Sequence, residues 1–286
     1  MLRQRVTLIN VPEFDMPLGH VDGGSRDRKE AQALMSGFDR DLGTLESAYS
    51  RAGVLDRTLF VITADHGMAP IHHHVPYSDI KSAVLSAGTR VVHGNYHSGA
   101  YLWVTDRSKL PQAAANVAAL GRDRMQSVYV RNPDGSYTRA SSAKRQILPA
   151  VEAANQYLLQ TFSGPTGPDL VVLFDEGTVG TQKGEQNWKG DHGGSDWQSQ
   201  HVPLLISGPG VREKHVSTFP ARLMDIAPTI LALSGGSHAQ MRGAVLADAL
   251  QSPAAGDVAA ESAARPQLRS VVAALRGESA LEARKR

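Results

Sequence analysis

Residues 58–68 read Thr-Leu-Phe-Val-Ile-Thr-Ala-Asp-His-Gly-Met, and this stretch constrains the fold more than any other. Leu59, Phe60, Val61 and Ile62 form a short apolar, partly β-branched run, the pattern of a buried strand in a parallel sheet. The run ends in Asp65-His66-Gly67, so an acid and an imidazole stand where the strand stops. In open α/β sheets, ligands bind at that carboxyl edge. Adjacent side chains on extended backbone point to opposite faces. A turn at Gly67 instead lets both reach one point, such as a pair of metal ions. An Asp capping a turn beside an incidental His fits the triplet as well, so other metal-type residues must decide.

A chain of 286 residues, 41% of them hydrophobic, can bury a sizeable core in one large α/β domain or two smaller ones. A net charge of +2 with 20% charged residues is a near-balance, which gives no nucleic-acid or membrane surface. Cysteine is absent, which excludes disulfides, zinc thiolates and thiol nucleophiles. No apolar run approaches the ~20 residues of a membrane span. The apolar run after Met1 is too short for a signal peptide, and the compartment is left unassigned.

Residues 6–11 read as a first strand, stopped by Pro12. The Pro- and Gly-rich loop that follows carries Asp15 and His20, a second acid and imidazole at a strand end. Ser25 is placed to cap a long helix on which Leu34, Phe38, Leu42, Leu45 and Tyr49 form one apolar stripe, with Gly53 as its stop. Strand, helix and the Asp65-His66 strand then make a βαβ unit.

The triplet His72, His73, His74 reads as surface or pocket rim, because consecutive side chains diverge. Helices are expected at 80–87, 110–120 and 151–161, strands at 99–104, 127–130 and 169–174, and a turn at 132–135. A polar, Gly-rich segment at 177–199 carries Asp191-His192-Gly193-Gly194, a third imidazole on a loop before a strand at 201–206. Residues 222–233 look helical. Beyond about residue 251 the composition turns to Ala, Arg, Glu and Ser, and Pro266 opens a possible helix with Leu268, Val271, Val272 and Leu275 on one face.

Asp15, His20, Asp65, His66 and His192 thus all fall at or just after strand ends. Asp and His without Cys suit zinc or manganese at a catalytic site. Two such ions roughly 4 Å apart clamp the attacking and leaving oxygens of a phosphoryl transfer.

These motifs, with Phe38-Asp39, the VPLLISGPG strand, MDIAPTILALSG and MRGAVL, resemble the alkaline phosphatase superfamily in its type I phosphodiesterase/nucleotide pyrophosphatase branch. The likeness covers about residues 5–250, and matches the C-terminal portion of the family. It implies a three-layer α/β/α sandwich with a mostly parallel central sheet that lacks its N-terminal strand or strands. It also implies a small α+β insertion near 88–150, and a tail or docking helix at 251–286.

By this resemblance Asp15, His20 and His192 hold one zinc, and Asp65 and His66 help to hold a second, with manganese the alternative. The first pair is spaced one residue wider than is usual in the family, which a longer loop would absorb, and His201 is the fallback for His192. The implied reaction is hydrolysis of a small phosphate ester by in-line attack of a Thr or Ser, through a phospho-enzyme. The family's nucleophile and a further metal-binding Asp precede the matched region, and Thr7 is a poor substitute. Lys183, Trp188 and Lys189 are candidate substrate contacts. A sulfatase or phosphonate hydrolase of the same superfamily, and a non-catalytic metal-binding relic or fragment, are the alternative readings. The reading also expects self-association through an exposed sheet edge.

Overall fold

The computed structural model describes residues 6–23, 28–120, 124–140, 146–181 and 187–285. Its first half contains α1 (Lys29–Arg51), β1 (Phe60–Thr63), β2 (Ala69–Pro70), β3 (His73–Pro76), α2 (Tyr77–Ser86), β4 (Val91–Tyr96), β5 (Gly99–Val104), α3 (Leu110–Leu120), β6 (Met125–Arg131) and β7 (Tyr137–Arg139). The second half contains α4 (Pro149–Leu159), β8 (Leu170–Phe174), β9 (Thr178–Thr181), β10 (Gly190–Asp191), α5 (Trp197–Gln200), β11 (Leu204–Ser207), α6 (Ile226–Leu233) and α7 (Ala255–Lys285).

The largest sheet has the order β4-β5-β8-β6-β7, and every neighbouring pair in it is antiparallel. β5 and β6 therefore run the same way, joined across α3, and β8 fills the gap between them. Helices cover both faces. Ile80, Val84, Ala113 and Val117 of α2 and α3 pack against Leu102, Val128, Leu170 and Val172 on one side. Leu159 of α4 packs with Tyr129, Tyr137, Val171 and Leu173 on the other. Burying each such aliphatic side chain contributes about 1.5–3 kcal/mol before its ordering entropy is set against it.

The mostly parallel sheet expected from the sequence is corrected here, since among the described strands only β3 and β9 pair in parallel. Leu170–Phe174 is buried throughout because helices lie on both of its faces, and such a run does not report which way its neighbours point. Within the largest sheet β8, from outside the segment near 88–150, is the middle strand.

Among the described residues β1 pairs only with β11, antiparallel, with Phe60 opposite Ser207 and Thr63 opposite Leu204. It is half-buried rather than fully buried. Residues 6–11 lie outside regular structure, and Val6 and Leu8 are 90% and 94% exposed. The expected first strand, and with it the βαβ unit, is absent among the described residues, because an apolar run becomes a strand only where an edge is offered to it. Ser25 lies outside the described residues, and α1 starts at Lys29 and stops before Gly53, which takes φ +66°. Helix α7 runs straight through Pro266 instead of starting there. Its Leu268 packs beside Phe219 and Leu246 and near β11, while Ala274 and Leu275 sit against Ala154 of α4. No described helix is long and apolar enough to cross a membrane.

Candidate metal centre

Four segments converge beyond the end of β1. The first is the turn after Pro12. The backbone N–H of His20 donates to the Asp15 carbonyl at 3.0 Å, five residues back, so the two sit at either end of one π-type turn. It is not regular helix, since Met16 is extended at φ −127°, ψ 124°. A wider i→i+5 closure takes up one more residue than an α-turn, and such turns recur at functional sites. Asp15 and His20 are brought to the same side of the turn in this way.

The second segment is Asp65-His66-Gly67. A Cβ on Gly67 would overlap the Gln198 carbonyl oxygen, and the Gly67 N–H donates to Ser199 at 2.9 Å, so only glycine fits this approach to α5. The third is Gly190-Asp191-His192, where β10 pairs with β2 through Asp191 opposite Ala69. That two-residue ladder brings the second Asp-His-Gly triplet alongside the first. A Cβ on Gly190 would overlap the Gly19 carbonyl, which keeps β10 pressed onto the Asp15–His20 turn. The fourth is the β4–β5 turn carrying His97.

Asp15 Oδ1 is the focus of the cluster, with His20 Nε2 at 3.4 Å, His192 Nε2 at 3.8 Å and His66 Nε2 at 4.0 Å. His20 Nδ1 donates to the Gly190 carbonyl at 2.9 Å and His66 Nδ1 to the Gly67 carbonyl at 3.0 Å. A carbonyl only accepts, so these bonds fix the ring protons on Nδ1 and leave both Nε2 atoms as lone pairs. Two acceptors thus face an anionic oxygen that is itself buried without a hydrogen-bond donor among the described residues. Such an arrangement calls for a cation. Metal–ligand lengths of about 2.0–2.2 Å give a tetrahedral edge of about 3.3 Å, close to the Asp15–His20 separation. The donor set of Asp15, His20 and His192 therefore fits a divalent metal.

The rings of His66 and His192 stack at 3.5 Å and 7° from parallel, and His97 lies 5.1 Å beyond His192. Burial, and then the neighbouring His66, push the His192 imidazole down to about 4. It is neutral at neutral pH, the form that binds metal. Asp65 is exposed, with Oδ1 3.7 Å from His66 Nε2, and stands at the rim.

Sequence reasoning passed over two members of the cluster. Asp191 is buried, with Oδ1 3.1 Å from His97 Nδ1 and 3.8 Å from His20 Nδ1. Its signal was available, since Asp191-His192-Gly193 repeats Asp65-His66-Gly67. His97 gave none, being one imidazole at a hairpin tip in a region that looked structural.

His201 is exposed and stacks on Trp197 at 4.2 Å, apart from the candidate metal groups. His73 and His74 run along β3, likewise outside those groups. Trp188 lies against the His20 ring at 4.0 Å, and Lys189 is exposed, with its backbone N–H donating to the His20 carbonyl. Lys183 lies outside the described residues.

The family model for type I phosphodiesterase/nucleotide pyrophosphatase matches residues 2–195. The chain belongs to that family. Solved structures agree on the fold. Human ectonucleotide pyrophosphatase/phosphodiesterase 5 superposes with a TM-score of 0.61 at 15% identity, covering 83% of this chain and 56% of that one. The murine protein gives 0.58 at 16% identity, covering 80% and 54%. An inactive murine variant in complex with AMP gives 0.57 at 16%, covering 83% and 56%. This type I phosphodiesterase-family chain thus spans just over half the length of these relatives. Among curated proteins, Arylsulfatase K of Danio rerio is 54% identical over 37 residues, 13% of this chain and 7% of that one.

Proposed function

We propose that this chain carries the metal-holding part of a hydrolase of small phosphate esters, of the phosphodiesterase/nucleotide pyrophosphatase type. The reading rests on family membership and above all on one observation, the Asp15 carboxylate oxygen facing the ring nitrogens of His20, His66 and His192 within 4.0 Å. Asp15, His20 and His192 would hold one divalent ion, and Asp65 and His66 would help to hold a second, with zinc the best match to this donor set. When bound, such ions supply a polarised phosphoryl oxygen and an oxygen nucleophile of lowered pKa.

The chain's own residues do the positioning. Gly190 and Gly67, as acceptors at Nδ1, turn two imidazoles so that Nε2 faces inward. The neutral His192 completes the first set, and exposed Asp65, 3.7 Å from His66, would join it in holding the second ion. The Trp188 ring lies against His20 and is a candidate substrate contact in this reading. The AMP held by the murine neighbour makes a nucleotide-like ester the first substrate to test. Residues 1–250 form the hydrolase domain in this proposal, with 251–286 as its docking helix. The hydroxyl nucleophile is left unassigned.

The test is turnover of bis(4-nitrophenyl) phosphate by the metal-stripped chain after zinc or manganese is returned. Zinc held by the unsubstituted chain and lost in Asp15→Ala is the expected result for the metal-holding part, and metal-dependent turnover lost in Asp15→Ala and Asp65→Ala would place a hydroxyl nucleophile within this chain as well. A requirement for calcium alone would overturn the two-zinc reading. The short match to an arylsulfatase favours a sulfate ester as the second reading, and 4-nitrophenyl sulfate tests it in parallel.

A further inference from the structure

Behind the Asp15 set lies a second group of donors. His97, Asp191 and His192 each offer a ligand atom, and these atoms lie within 4.8 Å of one another. His97 Nδ1 donates a hydrogen bond to Asp191 Oδ1 at 3.1 Å, a separation also close to the ~3.3 Å edge that two ligands of one tetrahedral ion would share. The Asp191 side chain is 1% exposed, and its other oxygen, Oδ2, has no hydrogen-bond partner among the described residues. A fully buried carboxylate with an unused oxygen is a costly feature unless a cation satisfies it.

The neighbourhood is held firmly. The Ser98 N–H donates to the His192 carbonyl at 3.0 Å and the Tyr101 hydroxyl to the Gly193 carbonyl at 2.6 Å. β10 ties Asp191 to β2. His192 turns Nε2 toward Asp15, which leaves Nδ1 as its remaining ligand atom.

We propose that His97, Asp191 and His192 form an additional divalent-metal site on the inner side of the centre, taking zinc, cobalt or another imidazole-preferring ion. It is distinct from the two positions proposed above and rests on that reading only in sharing His192. Binding at His97 Nδ1 moves that ring's proton to Nε2, with no net proton lost there. Use of both His192 nitrogens at once releases that ring's proton and couples the two ions.

The experiment uses the full chain, stripped with chelator and titrated with cobalt(II), then desalted and analysed for metal per chain. Absorption in the visible region reports the ligand field. His97→Gln is expected to retain one ion fewer than the unsubstituted chain and to lose one set of cobalt bands. Asp15→Asn is expected to keep those bands. Asp191→Asn serves as the second variant should His97→Gln fail to fold, and circular dichroism checks both. If whichever variant folds binds as many ions, as tightly, as the unsubstituted chain, the inner site is overturned. Loss confined to Asp15→Asn would overturn the inner site and leave the Asp15 set standing. Loss confined to the inner variants would do the reverse. A chain that holds no cobalt at all would overturn both.

Discussion

His66 and His192 stack almost face to face, with ring centroids 3.5 Å apart and planes 7° from parallel. They come from Asp-His-Gly triplets more than a hundred residues apart, and they meet because β2 and β10, which flank those triplets, pair with each other. Two cationic imidazoles at that separation would repel strongly, so the stack is stable only when at least one ring is neutral.

The pH dependence of the metal-free protein follows. His192 is held down to about 4, below the 6.5 of a free imidazole. Between those values the unfolded chain binds a proton that the folded chain does not, so stability falls as pH drops from about 6.5 to about 4 and is unaffected above that window. The loss is on the order of 2–3 kcal/mol at most. Urea unfolding in EDTA at pH 7 and pH 5 measures it, and His192→Gln should flatten the difference.

Asp15→Asn removes the charge at the focus of the three imidazoles while keeping the shape of the side chain. Zinc affinity should fall by more than the ~10–100-fold that loss of an outer-shell partner costs. Competition against a chromophoric chelator reads this directly, and an unchanged affinity would remove Asp15 from the ligand set.

Gly190→Ala places a methyl group into the Gly19 carbonyl, which is backbone and cannot swing aside. The expected cost is about 1–3 kcal/mol in unfolding free energy. It should come with weakened zinc binding, because the His20 ring is oriented by the Gly190 carbonyl. Full stability with full affinity would show that the turn and β10 do not need so close an approach.

Away from the centre, Asp225 is fully buried and takes three hydrogen bonds from Arg222 and one from the backbone of Ala244. Arg222→Met removes the guanidinium and two of these four bonds, leaving the buried carboxylate without its countercharge, and should cost about 3–5 kcal/mol. Pairing it with Asp225→Leu should recover part of the loss. Denaturant midpoints of the two variants decide, and an equal or larger loss in the double variant would contradict the argument.

Among the described residues no further strand lies beside the β1–β11 pair, and Leu205 on β11 is 57% exposed. Association at raised concentration should appear in sedimentation velocity and be reduced by Leu205→Lys, since a charge on an open strand discourages pairing. A chain monomeric at every concentration would count against it.

Much of the local structure was legible in the sequence. The residues of β5, α3 and β8 follow from apolar pattern and turn residues alone, and the acid–imidazole pairs pointed to side chains that the structure brings together around Asp15. Strand direction was not legible, because Leu170–Phe174 reads the same whichever way its neighbours run once both faces are covered. The run at 6–11 misled for the converse reason. Its pattern suits a strand, yet Leu8 is almost wholly exposed, since hydrogen bonding to an edge is a property of the neighbour and not of the segment. Pro266 misled differently, for a helix already anchored by Leu268 and Leu275 tolerates one missing N–H.

The π-type closure between Asp15 and His20 bears on how such centres drift between relatives. A residue gained or lost between two ligands would ordinarily rotate one of them out of reach. Here the wider pitch of the turn closes over the interval, and both side chains meet. Counting residues between an acid and an imidazole is therefore a poor guide to whether the two can meet, because the pitch of the turn between them sets the answer.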